Sequence, residues 1–145
     1  MKKRISLLTL TLLSACSNQL TSNDFTKTVT YDYEDFVERT ISFDNLFGFE
    51  LDDYYVYIYS KTCSHCENIK QEVLSFVNDY ECMYLLPYSK EIPISEDVET
   101  TIGATSIEAV SILGTPTLLE IKDHALIINV AGENKIITTL QGINN

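Results

Sequence analysis

Apolar positions along residues 31–142 change period in an order that predicts strand, helix, strand, helix, hairpin, helix. The clearest segment is Tyr54-Tyr55-Val56-Tyr57-Ile58-Tyr59, aromatic and β-branched throughout, the pattern of a strand covered on both faces in the middle of a sheet. Ser60-Lys61-Thr62 then turns the chain. From Cys63 the period becomes helical: Cys66, Ile69, Val73, Leu74 and Val77 mark one stripe, and Glu67, Lys70, Gln71 and Glu72 mark the wet side. Cys82-Met83-Tyr84-Leu85-Leu86 reads as the next strand, ended by Pro87. Residues 94–113 read as mainly helical, with Ser95 as N-cap and Glu96, Asp97 and Glu99 in the favourable first turns. Residues 117–121 and 125–130, joined by Lys122-Asp123-His124, form an antiparallel hairpin, and residues 133–140 close as a helix with Gly142 as terminator. Ahead of the first strand, Tyr33, Phe36, Val37, Ile41, Phe43, Leu46 and Phe47 are spaced for one or two short helices.

The first residues follow a different logic. Met1-Lys2-Lys3-Arg4 is a positive start, and the largely apolar residues 5–13 are too short to span a bilayer, which needs about 20. That is the pattern of a secretory signal. Its end, Leu13-Ser14-Ala15-Cys16, resembles a bacterial lipobox, which implies that Cys16 receives a diacylglyceryl group and becomes the mature N-terminus. An ordinary signal cut near Ala15 would instead leave an exposed thiol in an oxidising compartment. Three segments are expected: a signal peptide over 1–15, a flexible Ser/Asn/Thr-rich tether over 16–30 with lipidated Cys16, and a folded domain over 31–145. The location implied is the extracytoplasmic face of a bacterial membrane, held by lipid.

Charge narrows the partners. The full chain carries 10 Lys and Arg against 21 Asp and Glu, and loss of residues 1–15 removes three positive charges, leaving seven against 21, a formal charge of −14. Such a surface repels phosphate backbones and anionic headgroups, which disfavours nucleic-acid binding and electrostatic membrane association. About 130 mature residues suffice for one core.

The chemistry lies in Cys63-Ser64-His65-Cys66 after the first strand and Gly114-Thr115-Pro116-Thr117 before the hairpin. The two motifs, in this order, resemble the thioredoxin-like superfamily over about residues 50–142, in particular small envelope proteins of the bacteriocin transport accessory kind. The resemblance implies an α/β thioredoxin-like fold: a central mixed four-stranded sheet flanked by helices, here with an N-terminal helical extension. It also implies a thiol-disulfide oxidoreductase that exchanges with cysteines of exported proteins, needs no cofactor beyond the Cys63-Cys66 disulfide, and is recycled by another redox protein. Cys63, just before the helix, would be the nucleophile, its thiolate stabilised by unpaired N–H groups. Cys66, one turn later, would resolve the mixed disulfide. A partly protonated His65 would further stabilise the Cys63 thiolate and raise the potential from about −270 mV toward the oxidase value of about −120 mV. Pro116 would be the cis-proline facing the thiols, and Thr115 would offer its backbone to an extended substrate segment.

Several residues depart from the family pattern. Thr62 stands where tryptophan is usual, Ser64-His65 lacks proline, and Tyr57 occupies the position of a buried acid that assists deprotonation of the resolving thiol. The loss of that acid counts against an efficient general reductase without excluding one. Two other classes compete with the enzyme: a module holding a soft metal ion through Cys63, Cys66 and His65, and a non-catalytic accessory domain in secretion. A closed zinc site needs four ligands and no second CxxC or HxxxH is present, so no metal is assigned. Cys82 in a central strand reads as a small buried hydrophobe, His124 as a solvated turn residue, Glu67 as a helix-surface acid, the tyrosine run as strand packing, and Asp32, Glu34, Asp35, Glu38, Asp52 and Asp53 as a charged face.

Overall fold

β1 (Asp53–Tyr59) is the axis of the domain, and Tyr54, Val56, Tyr57 and Ile58 on it are completely buried. A computed structural model describes residues 29–143. The expected signal peptide, Cys16 and the tether as far as residue 28 lie outside the described residues, as do residues 144–145. β1 is followed by α1 (Ser64–Asn68), α2 (Lys70–Asp79), β2 (Met83–Pro87), β3 (Thr117–Lys122), β4 (Ala125–Ala131) and α3 (Glu133–Ile143).

The sheet order is β2-β1-β3-β4. β2 runs parallel to β1, with Tyr57 opposite Leu85, while β3 runs antiparallel, with Tyr57 opposite Leu118. β3 and β4 form the antiparallel hairpin, with an irregularity between Glu120 and Ile121. Its two-residue loop, Asp123 and His124, has φ of 49° and 60°, the left-handed conformation that suits the twist of a tight hairpin. The sheet is thus mixed, four-stranded and flanked by helices, as the family pattern implies.

Burial of Cys66, Ile69, Val73, Leu74 and Val77 follows the expected stripe of the first helix. The helix itself is divided: Ile69, with φ −110° and ψ 10°, ends α1 and begins α2, and no proline or glycine explains the break. Lys70 does not belong to the wet side. Its side chain is 13 % exposed, its ammonium sits 5.2 Å from the centroid of the Tyr33 ring, and it pairs with Asp32 at 3.0 Å.

The N-terminal extension is helical but 3-10 in type, over Tyr33–Arg39 and Phe43–Asn45. Asp32 and Asp35 form a capping box around its first turn. The extension is fastened to the domain at several points: Tyr31 exchanges two hydrogen bonds with the Gln71 side chain, Arg39 donates to the Tyr80 carbonyl, and Ile41 N–H donates to the Leu85 carbonyl.

The expected helix over residues 94–113 is replaced by two short 3-10 turns, Val98–Thr101 and Ile107–Ala109, within irregular chain. Thr100 and Thr101 hydroxyls donate to the carbonyls of Asp97 and Val98, which stabilises isolated turns. Gly103 then adopts φ 90° and its N–H donates to Leu126 on β4, so the backbone is drawn to the sheet and away from a helical path. Ser95 accepts from Asp97 N–H rather than capping a helix. Gly142 lies inside α3 and does not terminate it. Among the described residues no helix is long and apolar enough to cross a membrane.

Candidate active site

The turn from β1 into α1 places Cys63 in extended conformation at the N-cap of α1, with φ −92° and ψ 117°. Its sulfur fills the role of a capping oxygen and accepts from Cys66 N–H at 3.3 Å. Cys63 is half-buried, and Cys66 is 1 % exposed in the core. The Cys66 sulfur accepts from Ser60 N–H at 3.5 Å. Cys63 and Cys66 are the free cysteines among the described residues. Cys82, immediately before β2, is buried but is not one of the free thiols.

The opposite wall is the loop before β3. Thr115-Pro116 is a cis peptide, and the Cys63 thiol donates to the Thr115 carbonyl at 3.3 Å. The loop is held from both sides: Thr117 Oγ1 donates to the Gly114 carbonyl at 2.6 Å, and Gly132 N–H donates to the Pro116 carbonyl at 3.0 Å. Gly132 has φ 95°, which a side chain would strain, and its carbonyl accepts from Ile136 N–H at the start of α3. One glycine therefore joins the proline loop to the last helix.

The two thiols are electrostatically unlike. Burial pushes the Cys63 pKa up, but hydrogen bonds from the Cys66 and Thr115 side chains and from the Cys66 and His65 N–H groups outweigh it, and the net shift is downward. Burial, reinforced by the Cys63 sulfur, pushes Cys66 up to about 11. The half-buried sulfur is thus the more acidic of the two and the buried one the less acidic.

His65 contributes through its backbone at the sulfur, whereas its ring turns to α3. Nδ1 is 2.6 Å from Glu133 Oε1, and Asn68 Nδ2 donates to the same oxygen at 3.0 Å. The Glu133 contact raises the His65 pKa and lowers that of the carboxylate. Sequence reasoning missed Glu133, Asn68 and Ser60. An acid at the first position of a helix is legible as a dipole partner, but nothing in sequence pairs it with a histidine on another helix.

His65, Thr115, Pro116, Ala131, Gly132, Glu133, Asn134 and Lys135 line an open cleft of about 490 Å³ beside the thiols. No metal-binding group of three or more His, Cys, Asp or Glu comes together among the described residues. His124 is exposed at the hairpin turn, away from the cleft lining.

No protein-family model and no curated protein sequence matches the chain. Solved structures with a similar chain path include oxidised mitochondrial thioredoxin 3 from Saccharomyces cerevisiae, at 18 % identity over 71 % of this chain and 89 % of that one, with a TM-score of 0.48. Others are the long form of spinach chloroplast thioredoxin f, at 11 % identity over 81 % and 98 % with a TM-score of 0.48, and Malassezia sympodialis thioredoxin, at 17 % over 71 % and 89 % with a TM-score of 0.46. The fold assignment rests on the chain's own geometry. A β2-β1-β3-β4 sheet with β3 and β4 antiparallel, helices α1 and α2 after the central strand, and a cis-proline before β3 together define a thioredoxin-like fold.

Proposed function

We propose that the protein is an exported, membrane-anchored thiol-disulfide oxidoreductase. The observation that carries this reading is the contrast within one free cysteine pair: a half-buried Cys63 with a lowered pKa, against the proline loop, above a buried Cys66 raised to about 11. In the reducing direction, Cys63 thiolate attacks a substrate disulfide and expels one substrate thiolate; Cys66 then attacks the Cys63 sulfur and releases the second. In the oxidising direction the same steps run backward and the substrate leaves with the disulfide. Thr115 and Pro116 line the cleft in which an extended substrate segment would lie, and His65 borders it.

The imidazolium that Glu133 favours next to the pair supports a potential above that of thioredoxin and hence oxidase or isomerase work on exported proteins. Equilibrating the mature protein in defined glutathione buffers, alkylating, and locating free Cys63 and Cys66 by mass tests the reading. A potential well above about −270 mV is expected. A value near or below it reverses the direction to reduction, and a pair that never cycles removes the catalytic reading.

The anchor is proposed from Leu13-Ser14-Ala15-Cys16, and the neighbourhood of bacteriocin transport accessory proteins from the same envelope context. A sulfur in a diacylglyceryl thioether cannot also form a disulfide, so the mature N-terminal peptide must carry the lipid mass on Cys16. A free or disulfide-bonded Cys16 would remove the anchor.

A further inference from the structure

Beneath the cysteine pair lie two phenols that the exchange steps do not use. Tyr57 is completely buried on β1 and Tyr33, at the start of the first 3-10 segment, is 4 % exposed. Tyr33 stacks on Tyr59 with ring centroids 3.7 Å apart, and the Tyr57 and Tyr59 rings are 6.2 Å apart and nearly parallel, so the three side chains share one face of the sheet. The Tyr57 hydroxyl lies within interaction range of both the Tyr33 hydroxyl and the Cys66 sulfur. Neither phenol completes a hydrogen bond in this structure. Two orphan hydroxyls in a core are costly, and such groups concentrate where another state of the protein uses them.

We propose that Tyr57 is the hydrogen-bond donor that stabilises the Cys66 thiolate when Cys66 resolves a mixed disulfide, with Tyr33 supporting the Tyr57 hydroxyl from its other side. The proposal rests on the exchange chemistry above and adds a component to it. In that step Cys66 passes its proton, directly or through water, to the departing substrate sulfur. Its sulfur forms a bond to Cys63 Sγ, the bond between Cys63 and the substrate sulfur breaks, and the substrate leaves as a thiol. Tyr57 keeps its proton throughout, because burial drives phenol ionisation far upward. It turns its O–H toward the sulfur as negative charge develops there, joining the Ser60 N–H already present.

The surrounding charges are consistent with this role. The groups that act on Cys66 are Cys63, the Ser60 N–H and the Thr115 side chain, and both phenols also feel its charge. The ionic groups behind Tyr33 are Lys70 and Glu67, and Lys70 is tied to Asp32 at 3.0 Å and to Glu67 at 3.8 Å. With Lys70 paired to Asp32 and Glu67, the neutral Tyr57 phenol is left as an unused donor beside the sulfur that Ser60 N–H already contacts.

The test is stopped-flow reaction of the reduced mature protein with one equivalent of 5,5′-dithiobis(2-nitrobenzoic acid). Cys63 releases the first thionitrobenzoate and Cys66 the second, and Cys66→Ser identifies the phases by abolishing the second. In Tyr57→Phe the first phase is unchanged, the second slows about tenfold, and its pH profile moves up by about one unit, the effect of one hydrogen bond to an anion. Tyr33→Phe slows the same phase by a smaller factor. Because Tyr57→Phe deletes an unpaired buried hydroxyl, its thermal midpoint is expected to hold or rise. An unchanged second phase, or equal slowing of both phases with a lowered midpoint, overturns the proposal. Absence of a second phase in the unsubstituted protein overturns instead the exchange reading on which it rests.

Discussion

His65 on α1 and Glu133 at the first position of α3 are 68 residues apart in sequence and meet at 2.6 Å between Nδ1 and Oε1. The contact joins the helix that carries the thiols to the last helix of the domain, and Asn68 donates to the same carboxylate. The His65 ring is 69 % exposed, so water screens the pair; its importance lies in fixing the ring's position and charge rather than in global stability.

Glu133→Gln is therefore expected to lower the His65 titration midpoint toward the ordinary value of 6.5, followed by NMR of the ring carbons. The Glu133 pKa is depressed from 4.5, so its share of the stability is present above that pH and is lost as pH falls through the folded value. The His65 pKa is raised, so its share is complete below 6.5 and is lost as pH rises through the folded value. Any stability difference between the two proteins should thus appear in mildly acidic buffer and vanish in alkali. A His65 midpoint indifferent to the substitution would contradict the contact.

Alkylation should distinguish the two thiols sharply. With Cys66 raised to about 11 and 1 % exposed, iodoacetamide at neutral pH is expected to label Cys63 on the order of a hundred times faster. Peptide mapping over a time course measures the ratio. Comparable rates would mean that the sulfurs are not differentiated.

The segment before the proline loop offers a test of its irregular path. Ile112 is fully buried and Ile94 is 54 % exposed, although a continuous helix would use both as part of an apolar stripe. Ile112→Ala should cost about 2–5 kcal/mol in denaturant unfolding, and Ile94→Ala no more than about 0.5 kcal/mol. Equal costs would favour the helix.

Two glycines should respond with opposite signs. Gly132 has φ 95° with no atom within 4 Å of an added Cβ, so Gly132→Ala carries only conformational strain, about 1–2 kcal/mol destabilising. Gly142 is inside α3 with open space around it, and Gly142→Ala should stabilise by up to about 0.5 kcal/mol. Thermal unfolding of both variants measures the pair, and a stabilising Gly132→Ala would count against the left-handed junction.

Much of the fold was legible in period and residue type. Six successive aromatic and β-branched residues determined a strand buried on both faces, because side chains alternate faces and no polar position interrupts them. The stripe from Cys66 to Val77 determined which helix face enters the core, although the break at Ile69 left no mark in the sequence. The hairpin was legible from its two apolar runs and short polar turn. Residues 94–113 carry the apolar spacing of a helix, but local threonine bonds and the Gly103 contact with Leu126 decide their irregular path. In the candidate site, the spacing of Cys63 and Cys66 was visible, and so was Thr115-Pro116. Spacing along a chain cannot determine what meets across the sheet. Only the tertiary structure turned the His65 ring to Glu133, set Tyr57 and Tyr33 without partners beside Cys66, and made one thiol more acidic and the other less, because burial and long-range hydrogen bonds arise only when distant segments pack.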